Sequence, residues 1–158
     1  MKALVVFDSE FGNTEQVAKT IGSALGTPEQ VQVKRVGEVI AENLSGVDLI
    51  IIGSPTQRFR PTPVTKDFLK RIPSKGLQGI RAAAFDTRLT DEEFETSRIG
   101  SFFVGIFGYA AQPIANELKK KGAVLVVAPE GFYVQGVEGP LVDGELERAE
   151  DWAEQIAT

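Results

Sequence analysis

An α/β fold built on a parallel sheet, formed as a single domain over residues 1–158, is predicted by three features of this sequence. Short β-rich runs alternate with helix-patterned stretches, the organisation of βαβ units. Several of the β-rich runs are continuously apolar, as strands buried on both faces are. The length of 158 residues and a hydrophobic content of 42% suit one sizeable core. No repeat, low-complexity segment or linker divides the chain.

Five strands are predicted in order. Ala3 to Phe7, Leu49 to Gly53 and Ala82 to Phe85 are continuous apolar runs. Val31 to Val36 alternates less regularly, as a strand at a sheet edge does. Val124 to Val127 completes the set, with Phe132 to Val134 resuming after Pro129-Glu130-Gly131. Helices fall between the strands. Val17, Ile21, Ala24 and Leu25 repeat at helical spacing in a helix capped by Asn13 or Thr14 and ended by Gly26. Pro63 and Thr65 open a second helix through Phe68, Leu69 and Ile72, and Ile114, Ala115 and Leu118 mark a third that stops at Lys121-Gly122. The stripe Leu146, Ala149, Trp152, Ala153 and Ile156 makes a C-terminal helix in which Trp152 packs the core. A short helix lies within Val36 to Asn43.

Composition excludes much chemistry. The chain has no cysteine and no histidine, which removes disulfides, thiolate or imidazole metal sites, Ser-His-Asp triads and the usual neutral-pH base. No catalytic or metal-ligating residue is expected. A net charge of −5 argues against a nucleic-acid binder. No apolar stretch approaches the roughly 20 residues of a membrane span, and Met1 to Phe7 lacks the basic and small-residue flanks of a signal peptide. A cytoplasmic protein is the expectation.

The segment that carries chemistry is the first strand-to-helix turn, Asp8-Ser9-Glu10-Phe11-Gly12-Asn13-Thr14. Unpaired N–H groups at a helix N-terminus favour an anion. Ser9, Asn13 and Thr14 add side-chain donors, and Gly12 permits a close approach or a positive φ. The spacing matches neither a Walker loop nor a dinucleotide fingerprint, so a lone phosphomonoester fits better than a triphosphate. A capped turn without a ligand is the other reading.

The run from Phe7 to Glu15 resembles the phosphate loop of the flavodoxin family, whose turn ends in Gly-x-Thr, here Gly12-Asn13-Thr14. Phe11 stands where that turn often has a threonine. The resemblance implies a doubly wound three-layer sandwich around a five-stranded parallel sheet of order 2-1-3-4-5, with FMN in the crevice between the first and third strands. On it, Ser9, Glu10, Phe11, Gly12, Asn13 and Thr14 hold the phosphate end. Pro55, Thr56, Gln57, Arg58 and Phe59 form the isoalloxazine loop, with Phe59 either stacking on the flavin or anchoring the loop. Asp86, Thr87 and Arg88 form a third loop over the other edge, matched by position only. Arg58, Arg60 and Arg88 stand where many family members place acidic residues, so they either favour the reduced, anionic flavin or point into water as solvated charges and contribute almost nothing.

Thr90 to Gly108 form an extra connection in which Phe94, Phe102, Phe103 and Phe107 either cover the cofactor or pack a satellite core, with Tyr109 at its end. The turn Glu138-Gly139-Pro140-Leu141 reads as a surface connection. The resemblance implies an electron carrier that exchanges electrons with reductase and acceptor proteins as a monomer or weak dimer. An FMN-dependent NAD(P)H:quinone reductase is the alternative, and an FMN-free phosphate-binding or interaction domain is a third reading.

Overall fold

The computed structural model describes residues 1–90 and 109–158. The expectations for Phe94, Phe102, Phe103 and Phe107 lie outside the described residues.

The continuous apolar strands are the key to the architecture, because residues of alternate parity face opposite sides of a sheet. In β1 (Ala3–Phe7), Ala3, Val5 and Phe7 enter one core and Leu4 and Val6 the other. The first core is closed by α1 (Asn13–Leu25) and the C-terminal helix (Glu145–Ala157). The second is closed by α3 (Pro63–Arg71) and α4 (Ala111–Lys120). Between them stand β2 (Val31–Arg35), β3 (Leu49–Pro55) and β4 (Arg81–Leu89) in the order β2-β1-β3-β4, all neighbouring pairs parallel. The crossover from β2 to β3 contains a 3₁₀ turn (Val36–Glu38) and the short α2 (Ala41–Leu44), and the C-terminal helix is α5.

The far edge differs from five simple strands. β5 is only Val124–Leu125, paired with Arg81 and Ala82, and β6 (Glu130–Val134) resumes alongside Phe85 to Leu89 of the same β4. One position in the order is thus filled by two pieces of chain. This pairing also extends β4 well past Phe85, so Asp86, Thr87 and Arg88 lie in a strand and do not form the expected loop. Trp152 packs in the first core as expected, its ring edge-on to Phe85 and Phe132 at centroid distances of 6.1 and 6.0 Å.

Helix starts differ in one instructive place. Thr62 caps α3 through its hydroxyl, which accepts the Thr65 N–H, and Pro63 occupies the first helical position. In α1, by contrast, neither Asn13 nor Thr14 is the cap: Gly12 takes that position with a left-handed φ of 93°. Only glycine adopts that conformation without cost.

Candidate functional site at the carboxyl ends of the strands

The left-handed Gly12 turns the chain so that α1 points its N-terminus across the carboxyl ends of β1, β3 and β4. The Ser9 hydroxyl reaches into this turn and accepts the N–H of Gly12 at 3.1 Å and of Glu15 at 3.4 Å. The N–H groups of Glu10, Phe11, Asn13 and Thr14 donate to no described residue. Asn13 and Thr14 are buried, and buried backbone donors are rarely left without a partner. Several convergent N–H groups at a helix N-terminus are the donor set of a phosphate site. The phosphate end of FMN therefore fits the residues present.

The turn is braced from three sides. Arg35, at the end of β2, donates to the Ser9 carbonyl at 2.8 Å and approaches Asp8 and Glu15 at 3.7 and 3.4 Å. Lys19 hydrogen-bonds Glu15 and holds its carboxyl below the ordinary value, with a smaller opposing effect of burial and further lowering by the Lys19 and Arg35 charges. The Asn13 amide nitrogen donates to the Glu138 carbonyl at 3.1 Å. The Thr14 hydroxyl meets the Thr87 hydroxyl at 2.8 Å.

The second loop is a tight hairpin. Gln57 and Arg60 exchange both backbone hydrogen bonds at 2.8 and 2.9 Å, and the two residues between them, Arg58 and Phe59, have left-handed φ values of 48° and 66°. Two consecutive left-handed residues are the signature of a type I′ turn, which normally recruits glycine or asparagine. Its base is anchored below. The Thr62 hydroxyl donates to Asp8 at 2.6 Å, and the Thr62 N–H donates to Ser54 Oγ at 3.0 Å. Gln57 also donates to the Glu10 carboxylate at 2.6 Å, joining the two loops at the surface.

Together these segments enclose a cleft with about 500 Å³ of non-protein space, part of it open to solvent. Ser9, Glu10, Phe11, Asn13 and Thr14 line it on one side, Pro55, Thr56 and Gln57 on another, and Thr87 and Arg88 on a third. Gly12 contributes through its backbone conformation. Arg58 and Phe59 sit in the hairpin but do not form the wall. Phe11, 46% exposed, brings an aromatic ring to the rim.

Asp86 is not a cleft residue. It is fully buried, accepts the Arg88 Nε and Nη2 at 2.6 and 2.7 Å, and accepts the Ala111 N–H at 2.9 Å, so it fastens the start of α4 to β4. Burial pushes its carboxyl above the ordinary value, against the pull of Arg88 and the Ala111 N–H. The Arg88 guanidinium lies 3.7 Å from the centre of the Tyr109 ring. The same guanidinium is thus paired with the Asp86 carboxyl beside the cleft. Leu89, Val134 and Val137 also line the cleft and were not foreseen. Val137, 72% exposed, directly precedes the turn read as surface connection, and the long-range bond from Asn13 to Glu138 ties that turn to the start of α1. Among the described residues no cluster of side chains suits a metal, and no helix is long and apolar enough to cross a membrane.

A family model described as a flavodoxin domain matches residues 4–99. A flavodoxin of Maridesulfovibrio salexigens is 27% identical over 99% of this chain and 97% of its own. One from Nitratidesulfovibrio vulgaris is 28% identical over 75% of this chain and 84% of its own. In fold, the chain superposes on a flavodoxin structure from the domain Archaea with a TM-score of 0.78 and 23% identity, covering 99% of this chain and 96% of that one.

Proposed function

The chain belongs to the flavodoxin family of FMN-binding electron-transfer proteins, and we propose that its cleft holds one FMN with the phosphate at the N-terminus of α1. When bound, FMN supplies reversible electron uptake, which needs no acid or base from a chain without histidine. The observation that carries the placement is the set of unpaired N–H groups of Asn13 and Thr14 inside the cleft. Ser9 and Thr14 add hydroxyls to these donors, and Arg35 keeps the turn in shape from behind. Pro55, Thr56 and Gln57 border the isoalloxazine end, while Thr87 and Val137 close the remaining wall. As a single-domain carrier the protein exchanges electrons with a reductase and an acceptor protein.

The test is a fluorescence titration of the apoprotein with FMN and with riboflavin, which lacks the phosphate. FMN binding at least about tenfold tighter is expected, on the scale of one lost hydrogen bond to a charged group. Equal affinities would remove the phosphate site, and no binding of either flavin would remove the functional reading.

A further inference from the structure

Among the described residues, charge is divided unevenly between the two helical layers. α1 and α5 carry six carboxylates and two cations. α3, α4 and the adjoining Lys121 carry the reverse: Lys66, Lys70, Arg71, Lys119, Lys120 and Lys121 against Asp67 and Glu117. Arg58 and Arg60, both exposed, continue the positive strip to the cleft through the hairpin that leads into α3. Glu38 and Glu42 lie in the short helical segments of the β2-to-β3 crossover, whose 3₁₀ turn packs on the other flank of α3.

Local stability explains only part of this strip. Lys70, Arg71, Lys119 and Lys120 stand in the last turns of their helices, where cations complement the helix dipole. Arg60 and Lys66 flank the start of α3, where the same dipole disfavours them. Neither forms an ion pair with a described residue; on this face only Lys120 does, with Glu117 at 3.0 Å. Between the two helices runs an open groove of about 750 Å³ whose walls include Pro61, Lys66, Leu69, Lys70, Pro113 and Lys120. Pro61 directly follows the hairpin, so the groove begins beside the cleft, and α3 extends it for about 14 Å at 1.5 Å per residue.

We propose that the α3–α4 face, headed by the Gln57–Arg60 hairpin, docks an acidic electron-transfer partner protein. The inference rests on the electron-carrier reading, which requires a partner to approach the cleft. A protein is favoured over nucleic acid or a membrane because, among the described residues, the cations without an acidic partner are concentrated on this strip of a molecule with net charge −5. A partner of protein size meets that strip alone, whereas an extended polyanion also meets the acidic surface.

The experiment uses the full chain loaded with FMN, beside an Arg60→Gln/Lys66→Gln/Lys70→Gln/Lys120→Gln variant. The flavin is reduced and then oxidised by ferricyanide, a trianion that takes one electron per ion and becomes ferrocyanide. In the wild type the rate is expected to fall as salt rises, despite the negative net charge, and in the variant to be lower by roughly tenfold at low salt. A 12-residue oligoglutamate peptide titrated into ¹⁵N-labelled protein should shift α3 and α4 resonances and leave α1 and α5 unmoved. Rates that rise with salt in the wild type, or peptide shifts spread over both layers, would overturn the proposal. So would tighter binding of duplex DNA or phosphatidylserine vesicles than of the peptide. FMN affinity, measured separately in both proteins, distinguishes the failures: a chain that binds no FMN loses the functional reading, whereas normal FMN binding without anion attraction loses only the docking face.

Discussion

The Thr14 and Thr87 hydroxyls meet at 2.8 Å in a buried contact that links the first turn of α1 to the end of β4 over the intervening β3. Each hydroxyl has one donor hydrogen and two acceptor positions, so the pair retains capacity for a ligand oxygen. Replacing Thr14 with valine removes both the Thr87 contact and a donor toward the phosphate. FMN affinity should fall by about 1–3 kcal/mol, the scale of a lost hydrogen bond to a charged group, with riboflavin affinity nearly unchanged. Replacing Thr87 with valine should cost less, because Thr14 keeps its hydroxyl. Isothermal titration of both variants and of the double variant separates the terms. Equal losses for FMN and riboflavin in Thr14→Val would show that Thr14 acts on the fold and not on the phosphate.

Arg88 yields a different expectation from the one its charge suggests. Its bidentate bond to buried Asp86 makes the pair nearly neutral toward the cleft. In Arg88→Gln the burial that already raises the Asp86 carboxyl favours its protonation, so the site stays near neutral and the midpoint potential of bound FMN should shift by no more than a few tens of millivolts, below the roughly 85 mV that corresponds to about 2 kcal/mol for one electron. The larger effect is on folding. Breaking a buried pair by removing one partner costs about 3–5 kcal/mol, or about 10 °C in Tm for a chain of this size. Calorimetry and potentiometry on the same sample check both, and a large potential shift with unchanged Tm would contradict the pairing.

These two cases mark how far the sequence can be read. The parallel sheet, the position of α1 and the phosphate turn follow from local signals: continuous apolar runs, helical spacing, and the Ser9 to Thr14 composition. What local signals cannot carry is pairing between distant residues. Asp86, Thr87 and Arg88 look like a polar loop until β6 pairs with them and Asp86 and Arg88 neutralise each other. The Glu138 turn looks like plain surface until Asn13 bonds to it across 125 positions. The hairpin at Arg58 and Phe59 was equally hidden, because its left-handed conformation is held by Gln57 and Arg60 and not by glycine.

Acid stability should depend on Glu145. Burial raises its carboxyl, but hydrogen bonds from Arg148 and the Tyr133 N–H and the Arg148 charge outweigh that, and the net shift is downward from 4.5. A group depressed in the folded state contributes stability above its unfolded value and loses it as pH falls through the folded value. The wild type should therefore lose stability on acidification below about pH 4.5. Glu145→Gln should be less stable at pH 7 by about 1.5–3 kcal/mol and show a flatter decline below that pH. Urea unfolding at pH 7 and pH 3.5 makes the comparison; parallel declines in the two proteins would exclude Glu145 as the sensing group.

Gly131 offers a steric test of the same end of the sheet. It pairs with Asp86 in the β4–β6 ladder, and a Cβ added there would fall on the Arg88 guanidinium. That guanidinium has little room to retreat, since Asp86 grips it edge-on and the Tyr109 ring lies 3.7 Å away. Nor can β6 shift freely, because Arg148 donates to the Gly131 carbonyl and to Glu145. Gly131 has no left-handed φ, so alanine suits its backbone, and by conformational entropy alone the change would be worth about 0.5–1 kcal/mol in favour of folding. The clash should reverse that sign and make Gly131→Ala destabilising by about 1–3 kcal/mol, the range for overpacking. Removing the obstacle supplies the control: in an Arg88→Ala background the glycine substitution should cost little or nothing, so the double variant should be more stable than the two single losses added together. Thermal unfolding of the four proteins measures this coupling, and strict additivity would mean that Arg88 does not occupy the space above Gly131.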